Sequence, residues 1–213
     1  MTEHVKPHDI EARSFEIIKA ELDAMGISLD PEKDPVIRRA IHTSADFDYA
    51  ETLCFSPDAV RIAKDLIRSG ADIVTDTNMA LTGINKKKLA SYGGSARCYM
   101  ADEDVAAEAR ERGITRASVS MEHAACDAKA SGHKTVFSIG NAPTALMTLR
   151  EMHDKGIYTP DFVIGVPVGF VNVVEAKELI LETDIPCIVN RGRKGGSNVA
   201  AAIANAILYS MDR

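Results

Sequence analysis

From residue 71 onward, short runs rich in β-branched residues alternate with longer stretches that have helical periodicity. The predicted strands cover residues 71–75, 96–100, 135–139, 162–166 and 186–189. The helical stretches cover 104–112, 116–130, 142–155, 173–182 and 198–211. This alternation indicates βαβ units, whose right-handed crossovers place helices on both faces of a parallel sheet. We therefore predict an α/β fold, a three-layer α/β/α sandwich with a mainly parallel sheet of about five strands.

The region ahead of the alternation has a helical pattern. Apolar residues fall on one face of a predicted helix from about residue 9 to residue 25, and Gly26 follows as a stop signal. Further helices open at Asp34-Pro35, ending near His42, and at Ser56-Pro57. Since no repeat or linker interrupts the chain, we predict one domain, 1–213, with a helical segment 1–70 packed on an α/β core 71–213.

Charge and hydropathy exclude several kinds of partner. The chain has 213 residues, a net charge of −6 and 5% aromatic residues, without Trp. It has no basic field for nucleic acid or an anionic membrane, no long apolar span and no secretory leader pattern. We expect a soluble, cytoplasmic protein without nucleic-acid or membrane partners. The four cysteines form no CxxC pair, which favours free thiols over a zinc site or disulfides.

The loops after the predicted strands hold much of the chain's Gly, Asn and Arg, and open parallel sheets bind ligands at that edge. The segment GRKGGS (192–197) opens a helix, so its glycines, free N–H groups and cations suit a carboxylate or phosphate. Its candidate binding residues are Arg191, Arg193, Lys194 and Ser197; a plain turn with a solvated basic edge is the alternative. Asn141 suits an N-cap with Pro143 in the first turn of the next helix; alternatively, Asn141 and Thr144 face a ligand.

His42 stands at the end of a predicted helix, beside the hydroxyl of Thr43. Asp46 and Asp48 are near enough in sequence to orient its imidazole. The spacing of His42 and Asp46 would also suit a metal, but there is no third ligand cluster, so we expect no metal site. A histidine in this position is usually structural, and its surroundings make it a candidate acid or base.

Eight segments together resemble the precorrin-8X methylmutase family, including its cobalt-precorrin-8 branch. They occur in the family's order over nearly the whole chain: IEARSFEII (10–18), IHTSADFDYA (41–50), TDTNMALTGI (75–84), TR (115–116), IGNAPTAL (139–146), GVPVGFV (165–171), EAKE (175–178) and GRKGGS (192–197). DFDYA is more similar to the cobalt branch. The family often has Ser where this chain has Ala176, so any hydrogen bond from that hydroxyl is lost.

The resemblance implies an isomerase of cobalamin biosynthesis that moves a methyl group from C11 to C12 of a corrin precursor. It implies that His42 is the proton donor and acceptor, and it supports Ser14 and Arg116 as substrate-binding residues. It also implies a homodimer, and no cofactor beyond any cobalt that the substrate carries. We add further candidates because the substrate has several acid arms. They are Arg13, Thr43, Asn141, Thr144, Arg191, Arg193, Lys194 and Ser197, with residues 166–171 as an apolar wall.

Two other functions remain open from sequence alone. The GRKGGS loop would also suit a nucleotide- or phosphate-dependent transferase, which would need carboxylates for Mg²⁺, such as Asp76 and Asp102. A tetrapyrrole carrier on the same fold would bind the substrate without converting it.

Overall fold

In a computed structural model, the chain folds into a six-stranded sheet between two helical layers. The structure describes residue 6 and residues 9–212. The rest of the predicted domain, residues 1–5, 7, 8 and 213, lies outside the described residues. The strands are β1 Leu53–Phe55, β2 Asp72–Thr75, β3 Ala96–Arg97, β4 Thr135–Ile139, β5 Phe162–Gly165 and β6 Cys187–Asn190. The predicted sandwich is confirmed.

The strand order is β1-β6-β5-β4-β2-β3, and every neighbouring pair is parallel except β1 with β6. The predicted count of about five strands was one too low, because β1 was missed. It is a three-residue edge strand that pairs Cys54 with Val189. Three residues are too few to show an alternating pattern, and β1 follows directly on a short helix.

Eleven α-helices connect or flank these strands in the described part of the chain. They are α1 Ile10–Ala24, α2 Asp34–Ser44, α3 Tyr49–Thr52, α4 Ala59–Arg68, α5 Asn78–Gly83, α6 Lys86–Ala90, α7 Glu103–Arg112, α8 Arg116–Ser131, α9 Pro143–Asp154, α10 Val173–Leu181 and α11 Ser197–Tyr209. None of them, over the residues described, is both long and apolar enough to cross a membrane.

Successive side chains of the buried strands pack alternately into two hydrophobic cores, one on each face of the sheet. In β4, Val136 joins a core with α1, α2, α4 and α11, while Phe137 joins a core with α7, α8, α9 and α10. Both side chains are almost fully buried. Period-two alternation on a sheet covered on both sides accounts for the wholly apolar strands.

The packing of α2 on α11 brings the N-terminal segment to the carboxyl edge of the sheet. Helix α11 begins directly after the loop that follows β6, and α2 and α5 lie against it. Gly83 of α5 allows this close approach, since a Cβ there would lie 2.8 Å from the Cβ of Ala201. The end of α2, which carries His42, therefore lies near the loops where an open parallel sheet binds its ligands.

Candidate active site

A cleft of about 790 Å³ opens between α2, α5 and α11. This volume lies in the upper part of the range of roughly 300–1,000 Å³ that is usual for ligand pockets. Polar and small side chains share its lining: Arg39, His42, Thr43, Asn78, Met79, Thr82, Gly83, Asn198, Ala201, Ala202, Asn205 and Tyr209. The alanines of α11 leave room for a broad ligand, and the amides supply hydrogen-bond donors.

His42 lies in the last turn of α2 and faces this cleft. Its Nδ1 lies 2.9 Å from the Oγ of Ser14 on α1, and its ring stacks on Phe15 with centroids 5.2 Å apart. One ring nitrogen is thus held by a hydroxyl and one ring face by an aromatic side chain. Nε2 is left as the nitrogen available to a ligand.

The aspartates after α2 do not orient His42, contrary to our expectation from sequence distance. Asp46 and Asp48 instead pair with Lys194, at 2.6 and 2.5 Å. The hydrogen bond from Lys194 lowers the pKa of Asp46. The αL conformation of Ala45 ends α2 and turns the chain away from the imidazole, which is why nearness in sequence was misleading here.

Arg39 is a cleft residue that the sequence analysis missed. It lies one turn before His42 on α2, and its guanidinium stacks over Phe15 at 4.7 Å and Tyr209 at 5.5 Å. It also pairs with Glu11. The signal that would have found it is its i, i+3 spacing from His42, which puts both side chains on one helix face. Arg39 brings a positive charge to the wall that carries the imidazole.

The predicted loop residues Asn141 and Thr144 lie at the same edge of the sheet but not in the cleft lining. The Thr144 hydroxyl lies 2.8 Å from that of Thr115, so the beginnings of α8 and α9 are adjacent. Arg116, the first residue of α8, is exposed beside them. The side chain of Asn141 is exposed as well, and it does not cap α9, because the N-cap residue is Ala142 and no side chain caps that end of the helix.

A buried carboxylate, Asp76, fixes the loop that contains Asn141. It accepts the backbone N–H groups of Gly140 at 2.9 Å, Asn141 at 2.7 Å and Ala142 at 2.6 Å. Burial raises the pKa of this carboxyl, and the three N–H donors oppose that rise. Asp76 was considered only as a magnesium ligand from sequence. Its oxygens are instead committed to the backbone.

The basic loop, residues 191–196, directs its charged side chains outward to different partners. Arg191 pairs with Glu178 at 3.2 Å, Arg193 stacks over Phe170 at 5.5 Å, and Lys194 holds the two aspartates. None of these three side chains lines the cleft. The loop lies tightly on the exit of β5, since a Cβ on Gly195 would lie 2.1 Å from the carbonyl oxygen of Val166.

The remaining predicted residues divide between the cleft and its margins. Thr43 lines the cleft beside His42. Ser197 is nearly buried, and its hydroxyl lies 2.8 Å from that of Thr77, joining the beginnings of α5 and α11. Arg13, on α1, pairs with Glu16 at 3.2 Å. The structure therefore brings Ser14, His42 and Thr43 together and distributes the other candidates along the edge of the sheet.

The groups that a phosphate-transferring enzyme would need do not meet. Asp102 pairs with Arg97 at 3.2 Å, while Asp76 is buried against backbone N–H groups. Among the described residues, no group of three or more His, Cys, Asp or Glu side chains could hold a metal ion. The geometry thus favours a cleft whose chemistry depends on an imidazole.

Comparison with known proteins identifies the family. Residues 9–210 match the model of the precorrin-8X methylmutase family. The chain belongs to this family. A cobalt-precorrin-8 methylmutase of Salmonella typhimurium is 44% identical, over 97% of this chain and 96% of its own length. That of Priestia megaterium is 42% identical, over 98% and 90% respectively. Relatives named precorrin-8X methylmutase also match.

A solved structure has the same fold. The precorrin-8X methylmutase of Thermus thermophilus superposes with a TM-score of 0.84 and 36% identity, covering 96% of this chain and 98% of its own. Family membership makes the chain an isomerase of cobalamin biosynthesis. The resemblance inferred from the eight sequence segments is therefore confirmed.

Proposed function

We propose that this methylmutase moves the methyl group of cobalt-precorrin-8 from C11 to C12, with His42 as the proton donor and acceptor. The observation that carries the proposal is the imidazole in the cleft, with Nδ1 held by Ser14 and Nε2 without a hydrogen-bond partner among the described residues. Imidazole is the side chain best suited to give and take a proton near neutral pH. General acid–base help of this kind contributes about 10²–10⁴-fold to a rate.

The reaction is an isomerisation within one substrate molecule. The C11–CH₃ bond breaks, the C12–CH₃ bond forms, and no atom enters or leaves. A proton lent from Nε2 to a ring nitrogen or an adjacent carbon promotes the shift and then returns to the imidazole. Holding the flexible macrocycle in one conformation supplies the rest of the acceleration.

A hydroxyl is a suitable partner for an imidazole that lends and retrieves one proton. In the imidazolium both ring nitrogens carry protons, and the Ser14 hydroxyl accepts from Nδ1–H; after Nε2 has given its proton to the substrate, Nδ1 keeps its hydrogen and the same hydrogen bond remains. A carboxylate in that place would also accept, but its negative charge would stabilise the imidazolium and oppose release of the proton. Ser14 thus keeps the ring oriented through both halves of the cycle.

The acid arms of the substrate require donors around an apolar slot. Arg39 and the amides of Asn78, Asn198 and Asn205 provide donors inside the cleft. We assign the outer arms to Arg116 and the basic loop, which lie along the same edge, and to Arg13 on α1, the residue before Ser14. Phe170, 83% exposed beside Arg193, offers an apolar surface for the macrocycle.

We further propose that the enzyme acts as a cytoplasmic homodimer without a cofactor of its own, any cobalt being part of the substrate. Exposed apolar side chains on α1 and in the segment after β5, such as Ile17 and Val171, are consistent with a covered surface. The identities of 42–44% to proteins named cobalt-precorrin-8 methylmutase favour the cobalt-containing substrate.

The test is incubation of the purified protein with cobalt-precorrin-8 and, separately, with metal-free precorrin-8X, followed by visible absorption. Because the shift changes the conjugated system, conversion changes the colour. We expect the faster change with the cobalt-containing substrate. Tight binding of both compounds without any spectral conversion would instead identify a carrier.

A further inference from the structure

Lys177, on α10, is fully buried although it carries a charge. In the described part of the chain it has no ion-pair partner. Its Nζ donates to the carbonyl oxygens of Gly192 and Lys194, each at 2.8 Å. A buried ammonium without a carboxylate is costly, and such groups are normally paired. This one is directed at the backbone of the basic loop.

The inner side of the basic loop is held by donors at three consecutive residues. Besides the two bonds from Lys177, the carbonyl of Arg193 accepts the N–H of Gly169 at 3.2 Å, and Asn190 Nδ2 donates to the Lys194 carbonyl at 2.9 Å. With these carbonyls turned inward, the charged side chains of the loop are exposed. The conformation of the loop therefore depends on a buried cation.

The loop in turn reaches the segment that follows His42. Lys194, whose carbonyl is gripped by Lys177, extends its own ammonium to Asp46 and Asp48. Those aspartates follow α2 directly, and the backbone N–H of Asp46 also bonds Ser44 Oγ at 3.3 Å. A continuous set of contacts thus joins α10, the basic loop and the end of the helix that carries the imidazole.

We propose that Lys177 is a positioning residue, whose buried ammonium holds the basic loop in the conformation that presents Arg191 and Arg193 to the substrate and lets Lys194 clamp the segment after His42. The uncompensated charge also adds to the positive potential at the edge where the acid arms bind. The kinetic part of this inference rests on the proposed function, while the structural part rests on the loop contacts alone.

The test compares Lys177→Met, Lys177→Gln and Lys177→Arg with the wild type and with a matched control, Lys129→Met. Lys129 also donates to a backbone carbonyl, that of Ile157 at 3.2 Å, but it is exposed and far from the loop. The first measurement is the initial rate of tryptic cleavage of the folded protein after residues 191, 193 and 194, mapped by mass spectrometry.

We expect cleavage in the loop to be at least about tenfold faster in Lys177→Met, since charged hydrogen bonds keep the loop closed and proteolysis follows the open population. Lys177→Gln should be intermediate, Lys177→Arg close to wild type, and Lys129→Met unchanged. If Lys177→Met does not fold, the cleavage rates of the other two variants still test the proposal, because Lys177→Gln should be cleaved faster than Lys177→Arg. Equal cleavage rates across the folded variants would overturn the proposal.

The second measurement is turnover of cobalt-precorrin-8. We expect KM to rise about tenfold in Lys177→Met with a smaller fall in kcat, because the loop binds substrate arms and charged hydrogen bonds hold it in place. Lys177→Arg should restore KM. An unchanged KM in a variant with a loosened loop would remove the loop from substrate binding. Absence of turnover in the wild type would count against the proposed function and leave the cleavage test intact.

Discussion

Replacing Lys177 with Met should change how the stability of the protein depends on pH. Burial lowers the pKa of Lys177 from 10.5 to about 8. Between these two values the unfolded chain binds a proton that the folded protein has released. The free energy of unfolding of the wild type therefore rises as the pH rises through this window. Below the lower value both states are protonated, and the full cost of burying the ammonium is present.

The size of this pH dependence follows from the pKa shift of Lys177. The whole burial cost corresponds to about 3 kcal/mol, of which about 2 kcal/mol is regained between about pH 7 and about pH 9.5. Met cannot titrate, so Lys177→Met lacks this gain. The stability at one pH is less informative, because the variant loses the buried charge but also removes the side-chain donor to the carbonyl of Gly192 and one of the two donors to the carbonyl of Lys194.

Urea denaturation at about pH 7 and at about pH 9.5 measures how much the free energy of unfolding of each protein changes with pH. Between about pH 7 and about pH 9.5, we expect the free energy of unfolding of the wild type to rise by about 2 kcal/mol more than that of Lys177→Met. The free energy of unfolding of Lys129→Met should change with pH as the wild type's does. A difference between wild type and Lys177→Met that is the same at both pH values would show that the ammonium is not destabilised by burial, and would refute the reasoning.

Three further substitutions test other contacts. Ser14→Ala should lower kcat about tenfold with little change in KM, since it removes only the Nδ1 partner at 2.9 Å; a normal kcat would show that the hydroxyl does not orient the ring. Asp76→Ala leaves three backbone N–H groups without their acceptor and should cost about 4 kcal/mol in urea denaturation, so a loss below about 1 kcal/mol would contradict the anchoring role. Gly140→Ala places a Cβ 2.6 Å from the Cα of Ser197 and should cost about 2 kcal/mol; an unchanged denaturation midpoint would mean that α11 can shift freely.

The layered fold was predictable because it depends on short-range patterns. The alternation of β-rich and helical stretches predicted the sheet, and the Gly and Asn residues after the strands pointed to its carboxyl edge as the candidate ligand-binding edge. β1 was not predictable, since its three residues are too few to show an alternating pattern and only their pairing with β6 makes them a strand. β3 is shorter than predicted, because only Ala96 and Arg97 of the predicted strand pair with β2.

The site was predictable in part. The sequence pointed to His42 as a candidate, and the structure places it in the cleft, but its hydrogen-bond partner Ser14 lies 28 residues away and only the family resemblance pointed to it. Proximity in sequence favoured Asp46, which the fold assigns to Lys194 instead. Lys177, in the polar segment EAKE, has the sequence pattern of a solvent-facing residue. Only the tertiary contact between α10 and the basic loop shows that it is buried.

The central claim is that the imidazole of His42 lends the proton for the methyl shift. The most direct measurement compares wild type and His42→Asn, with cobalt-precorrin-8 binding followed at equilibrium and conversion followed by visible absorption in a single turnover. We predict that binding is retained within a few-fold and that conversion slows by about 10²–10⁴-fold. Conversion by His42→Asn at the wild-type rate would contradict the account.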